Sequence, residues 1–153
     1  MEVLITTQPS KFIYGLWMSS SDKTISKDIP KLSNRYYDAI GKMPESVLPF
    51  YVLSKDYDET GGQFRLFIGG EIQHELLDTH EFPAGDYGKI TVKPKLGFIW
   101  GLAVGEAKRY FYTKWLPASK YKALNMEYEY HTEKSIVKKP EIDILFSIEK
   151  ERS

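Results

Sequence analysis

Residues 11–18, Lys-Phe-Ile-Tyr-Gly-Leu-Trp-Met, form the first clear apolar run, and Ser19-Ser20-Ser21-Asp22 closes it. Dominance by β-branched and aromatic residues predicts a strand. A helix is expected next, because Ile29, Leu32, Tyr36 and Ile40 recur at helical spacing. Asp28-Ile-Pro30 supplies a capping residue with proline in the first turn, and Gly41 supplies the stop. Two further strands, 48–54 and 63–73, flank Asp56-Tyr-Asp-Glu-Thr-Gly-Gly62, whose aspartates and glycines suit a hairpin loop. The order is βαββ. The second half repeats it, with a strand at 85–93, a helix near 103–115 ended by Leu116-Pro117, and strands at 124–131 and 141–149. Segment 13–18 falls opposite 87–92, and 65–72 opposite 142–148, at offsets of about 74 to 77 residues, which points to internal duplication. The expectation is a single α+β domain over 1–153, with repeats at about 1–76 and 77–153. Two βαββ units related by a pseudo-two-fold axis would place helices on one face of an antiparallel sheet and a concave ligand cleft on the other.

Composition narrows the function classes. The 153 residues carry 21 basic and 21 acidic side chains, so the chain lacks the positive field that draws proteins onto phosphate backbones or anionic lipid. Nucleic acid is not an expected partner. The absence of cysteine excludes disulfides, thiolate metal sites and a cysteine nucleophile. Met1-Glu-Val-Leu-Ile lacks the basic start of a signal peptide, and no apolar run approaches the 18 or so residues that span a bilayer, so a cytoplasmic protein without a membrane span is expected. Aromatics make up 14% of the chain and cluster in the expected strands.

Strand 124–131 concentrates the chemistry. Side chains alternate along a strand, so Glu127, Glu129 and His131 share one side and Met126, Tyr128 and Tyr130 the other. On these residues alone the stronger reading packs Met126, Tyr128 and Tyr130 under the helices and leaves the acids in water, since acids are rarely buried. Candidate aromatic walls for a cleft are Trp17, Tyr51, Tyr87 and Trp100, each of which could equally be core. Trp100 stands out because Gly97 and Gly101 flank it, and glycines within a strand leave room for a ligand. Trp115, just before Leu116-Pro117, reads as a core anchor.

Several motifs taken in order resemble the GyrI-like, or effector-binding domain, family across nearly the whole chain. They are Pro49-Phe-Tyr-Val52, Tyr57-Asp58, Ile68-Gly-Gly-Glu71, Phe82-Pro-Ala-Gly-Asp-Tyr87, Gly97-Phe-Ile-Trp-Gly101, Trp115-Leu-Pro-Ala-Ser-Lys-Tyr121, Tyr128-Glu-Tyr-His131 and Ile142-Asp-Ile144. The likeness is greatest to free-standing multidrug-binding members of staphylococcal type. The resemblance implies two βαββ (SHS2-like) repeats around a cleft that takes hydrophobic, often cationic compounds. It also implies a central glutamate at Glu129, with Glu127 one pleat away ranked second. His131 stands where the family more usually has tyrosine.

Other chemistries are not supported. His74, His80 and His131 lack the helical pairing of a zinc protease, and no metal or cofactor is expected. The glycines at 61, 62, 69 and 70 match no phosphate-binding loop, and no serine occupies a nucleophile elbow. The lysines between 134 and 139 alternate with acids as a solvated loop does. The expected function is therefore binding of lipophilic cations, for sensing or sequestration, with no helix-turn-helix to act on DNA directly. Two alternatives implied by the resemblance are hydrolysis of cyclopropane-bearing alkylating compounds, with Glu129 as general base, and a gyrase-binding or other protein-interaction role.

Overall fold

The computed structural model describes residues 1–94, 100–137 and 139–152, without the side chains of Glu45 and Trp100. Eight strands, β1 (Leu4–Gln8), β2 (Lys11–Ser21), β3 (Phe50–Asp58), β4 (Gln63–Gly70), β5 (Asp78–Phe82), β6 (Gly85–Val92), β7 (Tyr121–His131) and β8 (Ile142–Lys150), form one sheet in the order β1-β6-β8-β7-β3-β4-β2-β5. Every pairing is antiparallel. The helices are α1 (Ile25–Ile40) and α2 (Trp100–Tyr110), the latter prolonged by a wider π turn at Phe111–Trp115 and a last turn at Leu116–Ala118.

The expected βαββ order is present in both halves, as β2-α1-β3-β4 and β6-α2-β7-β8. Around the central β7/β3 pair the strand order is mirrored, 6-8-7 against 3-4-2. Helix α1 begins a turn earlier than its sequence signals indicate, at Thr24, while Asp28 lies in the first turn and accepts hydrogen bonds from Ser20 and Thr24. A carboxylate there sits near the positive end of the helix dipole. Gly41 closes α1 with φ at 65°, a left-handed conformation that glycine adopts without steric cost.

Helix α2 departs from expectation at its start. Trp100 and Gly101 belong to its first turn, not to a strand, so the argument for Trp100 as a wall between strand glycines fails. Gly97 and the Trp100 side chain lie outside the described residues. What decides the local structure is helical spacing: Val104, Ala107 and Phe111 all bury on one side.

Two short strands, β1 and β5, have no counterpart in the sequence pattern, because five residues of mixed polarity show no sustained alternation. They shape the molecule. Each leads by two residues, 9–10 or 83–84, into the first long strand of its own half, yet pairs with the corresponding strand of the other half: β1 with β6, β5 with β2. A two-residue link spans at most about 11 Å. The two ends of the sheet must therefore lie side by side, and the sheet curls towards a barrel. The Phe82 ring on β5 accordingly packs at a tilt against Tyr128 on β7, centroids 4.8 Å apart, although the two strands are four places apart in the sheet. The concave side is filled by Ile13, Tyr51, Leu53, Phe67, Phe82, Tyr87, Met126, Tyr128 and Leu145. Where β2 and β4 pair at Gly15 and Gly69, a Cβ on either residue would lie 2.1 to 2.3 Å from the partner backbone, so both positions require glycine.

Both helices cover the convex side. Leu32, Tyr36 and Ile40 of α1 pack on Leu66 and Ile68, whereas Val104, Ala107 and Phe111 pack on Ile144, Phe146 and Ile148. Phe111 lies parallel to Phe146 with ring centroids 3.9 Å apart. Among the described residues no helix is long and apolar enough to cross a membrane. Phe111→Ala is expected to lower stability by about 3–5 kcal/mol by removing a buried ring from beneath α2, read as a shift in the urea unfolding midpoint.

Candidate functional site

The mirrored strand order leaves the β7/β3 seam as a groove between two helix-covered clusters. Glu129 is opposite Val52 on one side and Ile144 on the other, and both belong to the clusters under the helices. Glu127, Glu129 and His131 therefore face the helices, while Met126 and Tyr128, with Tyr130 against them, face the concave core. This reverses the solvated reading of the acids. Alternation shows which residues share a face, but only the helix positions decide which face is covered.

At the mouth of the groove both central strands are irregular. Asn125 has φ at 57° and Asp56 has φ at 58°, within register shifts of β7 and β3. The Asn125 side chain locks them together: its Oδ1 accepts from the Tyr57 amide at 2.8 Å and its Nδ2 donates to the Tyr57 carbonyl at 3.1 Å. Asparagine tolerates the left-handed region, and bulges of this kind re-aim neighbouring side chains.

Behind this mouth lies a cavity of about 650 Å³, within the size range of small-molecule sites. Ile25, Phe64 and Leu116 give it apolar walls, and Tyr57 and Tyr112 add ring faces. Glu127 lies on the wall with Lys108, whose Nζ is 3.7 Å from Oε1. The other carboxylate oxygen, Oε2, is buried, and among the described residues no donor reaches it. Burial raises the Glu127 pKa above the ordinary carboxylate range and the nearby Glu129 charge adds to it, while Lys108 and the Tyr112 hydroxyl oppose that rise. Tyr112 is pushed well above its usual range by burial and by the same carboxylate.

Glu129 has the opposite electrostatics. It is 8% exposed and lies deeper along the seam, away from the cavity wall, with Oε1 3.0 Å from His131 Nε2. Burial by itself would raise its pKa, but the hydrogen bond and charge from His131, helped by Lys108, hold it below the usual value. The His131 ring in turn meets Phe50 edge-on at 5.8 Å.

The structure separates the remaining sequence-predicted residues from this groove. Tyr51 and Tyr87 are 0% and 1% exposed in the concave core, where Tyr87 donates to the Pro83 carbonyl at 2.7 Å. Trp17 packs there against Phe67 and His80, with the Arg65 guanidinium 4.2 Å from its ring centre. Lys108 and Tyr112 were not singled out from the sequence, although four-residue spacing on a helical run places such a pair on one face. Among the described residues there is no group of three or more His, Asp or Glu side chains that could hold a metal ion.

No family model matches this chain, and no curated protein does. Solved structures do. SAV2435 bound to tetraphenylphosphonium aligns with a TM-score of 0.70 at 12% identity, over 97% of this chain and 94% of that one. An integron cassette protein from the mobile metagenome of Vibrio cholerae aligns at 0.69 and 14% identity, over 96% and 95%. The C-terminal domain of EcmrR aligns at 0.59 and 14% identity, over 98% of each chain. These likenesses establish the fold.

The two glutamates should respond oppositely to neutralisation. Glu129 has a depressed folded pKa, so its stabilising contribution is present above the unfolded pKa and lost as pH falls through the folded one. Glu129→Gln should therefore cost about 1–3 kcal/mol at pH 7 and progressively less in acid. Glu127 has a raised folded pKa, so its contribution is present below the unfolded value and lost as pH rises through the folded one. Glu127→Gln should be neutral in acid and more stable than the native protein at pH 8. Urea denaturation at pH 4, 7 and 8 measures both.

Proposed function

We propose that this protein binds lipophilic, often aromatic cations in the groove between its helices, as a stand-alone GyrI-like module that senses or sequesters such compounds. The observation that carries this reading is the Glu127 carboxylate, held on a tyrosine-bearing wall with one buried oxygen that no donor among the described residues satisfies. A ligand cation would add a second positive charge beside Lys108, on the side of the oxygen that lacks a donor. At about 4 Å the attraction is roughly 4 kcal/mol at an effective dielectric near 20, offset in large part by desolvation of both charges. Ring faces such as those of Tyr57 and Tyr112 add about 0.5–2 kcal/mol per well-placed contact. Because such contacts are weakly directional, one cavity accepts many shapes.

The likeness to a fold that holds tetraphenylphosphonium in SAV2435 supports the same class of ligand. In this reading Glu127 takes the direct role first assigned to Glu129. Glu129, engaged by His131, deepens the negative potential from behind. The whole chain acts as one domain, with halves meeting near residues 76 and 77, and neither nucleic acid nor a membrane is a partner.

The test is a fluorescence titration with rhodamine 6G, and a calorimetric one with tetraphenylphosphonium and uncharged triphenylphosphine oxide. Cation affinity should fall about tenfold or more in Glu127→Gln, equivalent to at least ~1.4 kcal/mol, while the neutral compound is indifferent. Absence of cation binding by the native protein contradicts the proposal.

A second reading is favoured by the same carboxylate. A buried glutamate with a raised pKa and an unsatisfied oxygen suits a general base, as hydrolysis of a strained cyclopropane-bearing compound would require. Turnover of such a compound that Glu127→Gln abolishes, without saturable binding of inert cations, would establish that reading instead.

A further inference from the structure

The concave face contains a second arrangement that the groove does not use. Tyr51 on β3 pairs directly with Tyr130 on β7, their ring centroids 5.2 Å apart, and Tyr128 lies one pleat further along. Into this cluster reaches Lys11, the first residue of β2. Its Nζ lies 4.8 Å from the Tyr51 ring centre, 5.1 Å from that of Tyr130 and 5.7 Å from that of Tyr128. The ammonium donates to the Tyr51 hydroxyl at 3.2 Å, and that hydroxyl donates to Glu71 Oε1 at 3.3 Å. Glu71, just beyond β4, is exposed, so the cluster opens to solvent where the carboxylate stands. Three electron-rich rings within about 6 Å of one cation, with an acid at the rim, form a cage of the kind that recognises alkylated ammonium ions.

A lysine needs no such cage. Its side chain could reach water at the end of a strand, yet here it is half-buried, and desolvation, only partly countered by Glu71, lowers its pKa. The cage holds a cation at a cost to that cation.

We propose that this end of the barrel is a second ligand site, for small alkylammonium ions, which the chain keeps filled with its own Lys11 side chain until a competing ammonium displaces it. It lies on the opposite face of the sheet from the groove and does not depend on Glu127.

Choline and tetramethylammonium serve as probes, against the native protein and Lys11→Ala, Lys11→Met and Lys11→Ala/Tyr130→Leu. Native protein should bind them weakly, in the millimolar range. Lys11→Ala should bind at least tenfold more tightly. Lys11→Met, which refills the cage with an uncharged chain, and the double variant should lose that gain. Tetraphenylphosphonium affinity should be the same in the native protein and Lys11→Ala, which separates failure of this site from failure of the groove. Proton NMR of the native protein provides a measurement independent of any variant. The Lys11 ε-methylene protons should be shifted upfield by the rings and return towards ordinary values as choline is added. An unshifted or unresponsive Lys11 signal, or a folded Lys11→Ala that binds choline no better than the native protein, would overturn the proposal.

Discussion

Two links of two residues each, at 9–10 and 83–84, hold the edge strands of one half beside the other half. Much of the remaining structure follows from that exchange. Because neither link can span more than about 11 Å, the sheet cannot lie open, and its two ends close towards each other. Closing it turns one face inward, and the inward face becomes a packed aromatic core with Tyr51, Phe82, Tyr87 and Tyr128 at its centre. The helices are thereby confined to the convex side. Since each covers its own half, the mirrored centre at β7 and β3 is left as the groove between them.

That geometry explains how two carboxylates two residues apart acquire different characters. Both face the groove from β7, but Glu129 meets a histidine on its own strand at 3.0 Å, whereas Glu127 is more weakly engaged, by Lys108 at 3.7 Å and by the Tyr112 hydroxyl from the helix side. Glu129 is stabilised as a charge by its partners. Glu127 is disfavoured as a charge by its burial, a state that the proposed cation would relieve. The groove thus combines an acid engaged at short range by His131 with one that has a buried oxygen lacking a hydrogen-bond partner among the described residues.

The long elements were legible in the sequence because apolar and aromatic runs, or apolar residues at helical spacing, persist through them between clear turn and cap signals. Ile29, Leu32, Tyr36 and Ile40 mark the inward side of α1 by their spacing alone, and the alternation along 124–131 groups Glu127 with Glu129 and His131, as the structure does. Strands β1 and β5 were not legible, since Asp-Thr-His-Glu-Phe has no apolar alternation and is recruited by pairing with residues some 65 positions away. Nor could alternation tell which side of β7 the helices cover, which is why Trp17, Tyr51 and Tyr87 were grouped with glutamates that lie across the sheet from them. The ranking of Glu127 against Glu129 rests on Lys108 and Tyr112 from α2 and its π turn, and on the way His131 folds back along β7 to reach Glu129. The meeting of Lys11 with three tyrosines depends on the curl of the whole sheet, which no local pattern encodes.

In the proposed function Glu127 is an acid whose ionised form is completed by a cation. The most direct measurement is a carbon-13 NMR titration of the Glu127 side-chain carboxyl from pH 3 to 9, with and without saturating tetraphenylphosphonium. The expected result is a pKa above the ordinary carboxylate value in the unliganded protein and a fall when the cation binds, with a proton released on binding near that pH. A Glu127 that titrates in the ordinary range, or whose pKa does not move when the cation binds, would contradict it.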